Sequence, residues 1–132
     1  MSRFAIDAPT ALRLLEDGRQ VAADHSLVAP SLLRSHVLSL LYRASRAGQQ
    51  EESETRKALE GLAELKIRLL GDRVSRATAF RLAADLGWDD TPLAEYLAVA
   101  SLQADALVTD DPSLREGARG LVPLADFGDL FA

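Results

Sequence analysis

Three observations in this chain of 132 residues predict an α/β sandwich with a central, mostly parallel sheet. Short apolar runs alternate with amphipathic helical patterns, the connections between them are brief, and two of the runs end directly in acids. Phe4-Ala5-Ile6 runs into Asp7, and Ala106-Leu107-Val108 runs into Thr109, Asp110 and Asp111. Strands that alternate with helices through short connections build parallel sheets covered by helices. Such sheets open a crevice at the carboxyl ends of their strands, where ligands bind. Two strands that each deliver an acid there have the chemistry to hold a divalent cation between them.

Arg3 to Ile6 reads as a short buried strand. Pro9 suits the first turn of a helix that Thr10 to Asp17 continue and Gly18 stops. Pro30 is expected to open the next helix, in which Leu32, Leu33, Val37, Leu40, Leu41 and Ala44 form an apolar stripe and Gly48 ends it. Gln50 to Leu65 forms a more polar helix with Leu59, Leu62 and Leu65 as its inner edge, so a helical pair interrupts simple alternation. Lys66 to Leu70 follows as a strand. Ser75 is a suitable N-cap for a helix through Leu86 that Gly87 closes. Thr91-Pro92 starts another helix to about Gln103, apolar on more than one side. The Ala106–Val108 strand, a helical turn at Ser113–Glu116 and a strand at Leu121-Val122 complete the pattern.

The length fits one domain, 1–132, with room for a real core. Hydrophobic content of 48% and charged content of 27% describe an ordinary globular protein. The absence of cysteine excludes disulfides and thiolate metal sites and fits a reducing, cytoplasmic setting. There is no apolar run of signal-peptide length at the N-terminus, and no stretch approaches the roughly 20 residues that span a bilayer, so no membrane partner is expected. Thirteen of the 15 basic residues are arginine, which suits phosphate or carboxylate contact. The net charge of −5 nevertheless repels nucleic acid, so any RNA contact must be local.

Four segments, in order, resemble the PIN domain of VapC-type toxin ribonucleases, and the likeness spans nearly the whole chain. They are Phe4-Ala5-Ile6-Asp7-Ala8, Val28-Ala29-Pro30-Ser31-Leu32-Leu33, Ala94-Glu95-Tyr96-Leu97-Ala98-Val99-Ala100, and Ala106-Leu107-Val108-Thr109-Asp110-Asp111 followed by Leu114. The resemblance implies a PIN-like three-layer fold and a metal-dependent endoribonuclease that uses Mg2+ or Mn2+. It also implies a homodimer and a VapB-like antitoxin that plugs the acidic pocket. Of the four acids the family carries, the first and last fall on Asp7 and Asp111. The second falls on His36 and the third on Leu93, so half of the expected set is replaced. That leaves two functions open: a ribonuclease weakened by the loss, or a catalytically inactive PIN-fold module that binds an antitoxin-like peptide or RNA. A third reading is an unrelated α/β protein whose strand-end acids only cap helices.

Each candidate residue has a plainer role beside the functional one. Asp7 and Asp111 are candidates for catalysis and metal binding, yet each also precedes a helix start where a carboxylate caps backbone N–H groups. Asp110, adjacent to Asp111, points the other way if the strand continues. His36 lies on the apolar stripe of its helix. An imidazole can ligate Mn2+ or softer ions but does not replace a carboxylate for Mg2+, and a hydrogen-bonded core histidine is its plainer role. Leu93 shares a face with Leu97 and Ala100 and reads as core. Asp90, just upstream, is a candidate substitute ligand, whereas Glu95 turns about 200° away from Leu93. Thr109, Arg43 and Arg46 are candidates for substrate contact. Arg34, Arg73, Arg76 and Arg81 fit solvated helix faces. Leu40, Leu41, Tyr42 and Leu59 exceed what one narrow stripe needs, which points to apolar surface left for a homodimer.

Overall fold

In the computed structural model, which describes residues 2–132, five strands run parallel. They are β1 (Ser2–Ile6), β2 (His25–Pro30), β3 (Arg68–Leu70), β4 (Ala106–Val108) and β5 (Leu124–Ala125), in the sheet order β3-β2-β1-β4-β5. Six helices flank them: α1 (Ala8–Asp17), α2 (Leu33–Arg46), α3 (Glu52–Glu64), α4 (Arg73–Leu86), α5 (Pro92–Gln103) and α6 (Pro112–Gly117). The result is a three-layer α/β sandwich, as the sequence predicts. The helices α1, α2 and α3 pack on one another, α4 packs on α5, and α5 lies against β1 and β2.

This order fixes where a ligand site can form. From β1 the chain winds outward through β2 to β3, then crosses back to place β4 on the other side of β1. The carboxyl ends of β1 and β4 therefore flank the switch point, where the crossovers diverge and leave a crevice. The register Ile6↔Val108 brings Asp7 level with Thr109 across that gap. Apolar residues on both sheet faces hold the register. Ile6 and Leu107 are fully buried, and Leu27, Val28 and Ala29 continue the core through β2.

Helix boundaries follow from local chemistry. Asp7 caps α1 by accepting from the Thr10 N–H at 3.0 Å, and Gly18 ends the helix at φ 79°, a left-handed conformation that favours glycine. Pro30 corrects an expectation, for it is the last residue of β2 and α2 begins at Leu33. A proline biases the residue before it toward extended backbone, so the Ala29-Pro30 pair ends a strand more readily than it opens a helix. The ladder with β1 has already stopped at Val28, so the missing N–H of Pro30 leaves no bond to β1 broken.

Other boundaries move for similar reasons. The cap of α4 is Asp72, not Ser75. Asp72 accepts from the Ser75 N–H at 2.8 Å, and that bond holds its carboxyl below the usual range. The last strand is Leu124–Ala125 in place of Leu121-Val122, whose N–H groups turn back to the Ala118 carbonyl, so that pairing with β4 starts only at Pro123. The inner edge of α3 is Ala58 and Leu62, while Leu59 is exposed.

Leu107 sits in the middle of this arrangement, fully buried on β4 between β1 and β5. Leu107→Ala is expected to lower unfolding free energy by about 2–5 kcal/mol, the range for deleting a buried leucine side chain. Urea unfolding checks this, with an unchanged denaturant slope marking a loss of packing within the same fold.

Candidate functional site

Asp7 is a buried carboxylate, 2% exposed, at the end of β1. A charge in that position needs donors. One oxygen accepts from the Thr10 N–H, and the other accepts a short hydrogen bond from the Thr109 hydroxyl. The same Thr109 oxygen accepts from the Asp111 N–H at 3.0 Å. Thr109 is thereby a bridge from the acid that follows β1 to the residue that carries the second acid after β4. The Thr10 hydroxyl donates to the Val108 carbonyl at 3.1 Å, which ties the first turn of α1 to β4 as well. Asp111 caps α6 by accepting from the Leu114 N–H at 3.0 Å, and the Arg115 guanidinium donates to the Thr109 carbonyl at 2.9 Å.

Asp7 and Asp111 are therefore joined through Thr109 at the carboxyl ends of β1 and β4, and both carry out the capping roles that compete with a purely functional reading. Asp110 is exposed, with the Arg13 guanidinium 3.8 Å away. Thr109 is 2% exposed, and its hydroxyl serves Asp7 and Asp111, so it positions acids and offers no free group to a substrate.

His36 stands in the second turn of α2, and its Nδ1 lies 3.0 Å from the Tyr96 hydroxyl on α5. Burial holds the His36 pKa below its ordinary value. Arg43 adds to that effect, and the negative charge of Asp7 opposes it. Burial raises the Tyr96 pKa far above that of a free phenol, and Asp7 and Glu95 push the same way. Asp7 is thus a negative charge that acts on both members of the pair. Glu95 is half-buried, and burial raises its pKa against the pull of Arg76.

The remaining candidates make no hydrogen bond to this cluster. Asp90 is exposed, and its carboxylate accepts from the adjacent Thr91 N–H at 2.8 Å. With Leu93, Trp88 and Ser113 it lines a cleft of about 420 Å3. Leu93 is half-buried, so it walls that cleft as well as joining the core. Arg43 and Arg46 are exposed in the last turn of α2, where positive charge complements the helix dipole. A larger cavity of about 890 Å3 lies at the amino ends of β2 and β3, lined by His25, Ser26, Arg68 and neighbouring residues, at the other end of the strands from Asp7.

Tyr96 is the site residue that sequence reading passed over. The signal was a single phenol in a helix otherwise apolar on several faces, because a buried tyrosine needs a partner for its hydroxyl.

A resident divalent cation fits these residues poorly. Among the described residues, no three His, Asp or Glu side chains gather where one ion could touch them all. Both Asp7 oxygens and one Asp111 oxygen already accept protein donors, and His36 turns Nδ1 to Tyr96.

Fold and geometry together define a three-layer α/β protein with two acids joined through Thr109 at its switch point. No family model matches the chain, and no curated protein does. Among solved structures, the crystal structure of PAE2754 from Pyrobaculum aerophilum is similar, with a TM-score of 0.71 and 19% sequence identity over 98% of this chain and 92% of that one. At that identity the likeness establishes a shared fold.

Because burial lowers the His36 pKa, protonation is harder in the folded than in the unfolded chain. The unfolded state then binds more protons between the lowered folded value and the unfolded value near 6.5. The histidine's contribution to stability is therefore full above the unfolded value and is lost as pH falls from there through the folded one. Urea midpoints measured across that window should fall on acidification, and His36→Gln should flatten the decline. Thr109→Val removes the bridge and should cost about 1–3 kcal/mol, since it leaves a buried carboxylate short of a donor and an N–H without an acceptor.

Proposed function

We propose that the chain is a PIN-like domain of the VapC toxin type whose metal-holding set has been lost, and that its crevice binds a VapB-like antitoxin peptide. One observation carries this reading. Asp7 and Asp111 share the crevice through Thr109, yet no third acid or histidine joins them within reach of a common ion. Asp111 is half-buried and one of its carboxylate oxygens has no protein donor, so it can accept hydrogen bonds from a basic side chain of the peptide. The net charge of −5 also favours a basic peptide over RNA.

A specific observation favours a second reading, a residual Mg2+- or Mn2+-dependent ribonuclease. Magnesium is commonly held by one or two carboxylates completed by substrate phosphates and water, and two carboxylates are present at the switch point. Ribonuclease assays at high Mn2+ separate the two. The binding-module reading expects wild type to cleave RNA no faster than Asp7→Asn. Cleavage by wild type that Asp7→Asn abolishes would transfer the conclusion to the nuclease. Replacing His36 by Glu together with Leu93 by Asp is expected to rebuild the four-acid set and raise both Mn2+ affinity in calorimetry and RNA cleavage. For the peptide, Asp111→Asn should weaken binding of a small antitoxin encoded beside this chain.

The same reading includes a homodimer. Leu41 leaves the interface, because it is 1% exposed within the monomer, but Leu38 at 51%, Tyr42 at 63% and Leu59 at 39% present apolar surface on α2 and α3. Light scattering at micromolar concentration should give a dimer mass, and Leu38→Glu with Tyr42→Glu should give a monomer.

A further inference from the structure

We infer that Tyr96 fixes His36 as the Nε2–H tautomer, so that the histidine faces the crevice as a hydrogen-bond donor to an oxygen acceptor and not as a ligand for a divalent cation. This deepens the crevice reading above and rests on it only for the identity of the ligand.

Hydrogen-bond accounting decides the tautomer. The Tyr96 side chain is 1% exposed, and its hydroxyl has one partner among the described residues, His36 Nδ1. The Asp7 oxygens, though near enough to act on both rings electrostatically, take their donors from Thr10 and Thr109 and none from Tyr96. If Nδ1 carried the proton, it would donate to the phenol oxygen, and the buried phenol O–H would have no acceptor. That arrangement carries the full desolvation cost of an unmade hydrogen bond. With the proton on Nε2, the phenol donates to Nδ1 and both groups are satisfied.

The outer nitrogen is free to act. Among the described residues, the one buried side-chain nitrogen or oxygen without a partner is His25 Nδ1, so His36 Nε2, which has no protein partner, is reached by solvent. The Tyr96 ring lies beside it, and the charges that act on the ring are Arg43 of α2 and Asp7 of the β1 end. Burial and the Arg43 charge both favour the neutral ring. A neutral imidazole with its proton on Nε2 and its lone pair engaged by a phenol has no electron pair left for a metal ion. To ligate one, the proton must move to Nδ1, and Tyr96 then loses its acceptor. Tyr96 is thus a positioning residue for His36, and a second reason, beyond the lost acids, that the crevice rejects a cation.

Two-bond 1H–15N spectra near neutral pH read the tautomer directly. The chain has two histidines, so His36→Gln identifies the signals of His36 by their disappearance. The expected pattern is a pyrrole-type Nε2 and a pyridine-type Nδ1. In Tyr96→Phe, which keeps the ring and removes the hydroxyl, the expected pattern is a tautomer mixture, with Mn2+ affinity raised about tenfold because the unmade hydrogen bond no longer opposes ligation. A protonated Nδ1 in the wild-type protein would overturn the inference. So would a Tyr96→Phe protein whose spectrum disperses like wild type and whose His36 pattern is unchanged. The wild-type spectrum needs no ligand, so it can contradict this inference while the peptide-binding reading stands, and the reverse holds for loss of peptide binding.

Discussion

The crevice is organised by the contact between a buried carboxylate and a threonine hydroxyl, Asp7 to Thr109, made across the gap between two parallel strands. An acid buried to 2% exposure is tolerated only where the surroundings supply donors, and here they come from a helix start and from the neighbouring strand end. That requirement fixes more than one side chain. It sets the end of β4 level with the end of β1, it orients the Asp111 backbone through the same hydroxyl oxygen, and it anchors the N-terminus of α1. Thr10 reinforces the arrangement from the helix side through the Val108 carbonyl. The helix dipole at the start of α1 favours the same charge in the same place.

The neighbouring pair, His36 and Tyr96, follows a different logic. Where the resemblance to VapC-type ribonucleases implies a carboxylate, this chain has an imidazole, and the imidazole finds its partner in a phenol of the facing helix. Satisfied polar networks of this kind rigidify a core, whereas an acid at the same position without metal would face Asp7 as a like charge. Leu93, where the resemblance implies another acid, walls the cleft it shares with Trp88 and Ser113.

Much of the fold was legible because it rests on short-range signals. Strand-end acids, glycines at helix stops and the apolar stripe of α2 are local; they reported β1, β4, α1 and α5 within a residue or two, and the body of α2 though not its start. The strand β2 was missed because its apolar run is brief and ends in proline, a residue with two local meanings, strand end or helix start. The shift of β5 to Leu124–Ala125 had the same origin. Leu121 and Val122 are apolar enough to be a strand, but their N–H groups are taken by the Ala118 carbonyl.

The sequence by itself determined the fold class, the two acids at strand ends and the absence of the second and third acids of the implied family. The first two follow from residue identity and from periodicities of two and 3.6 residues, and the third rests on the resemblance. Only the tertiary structure decided that β1 and β4 are neighbours at the switch point, that Thr109 bridges Asp7 and Asp111, and that Tyr96 is the partner of His36. The bridge and the His36–Tyr96 pair join residues 102 and 60 positions apart. No local propensity encodes which distant hydroxyl will meet a buried carboxylate or imidazole. That choice is made when the sheet order and helix packing bring unsatisfied groups together and leave each with one available partner.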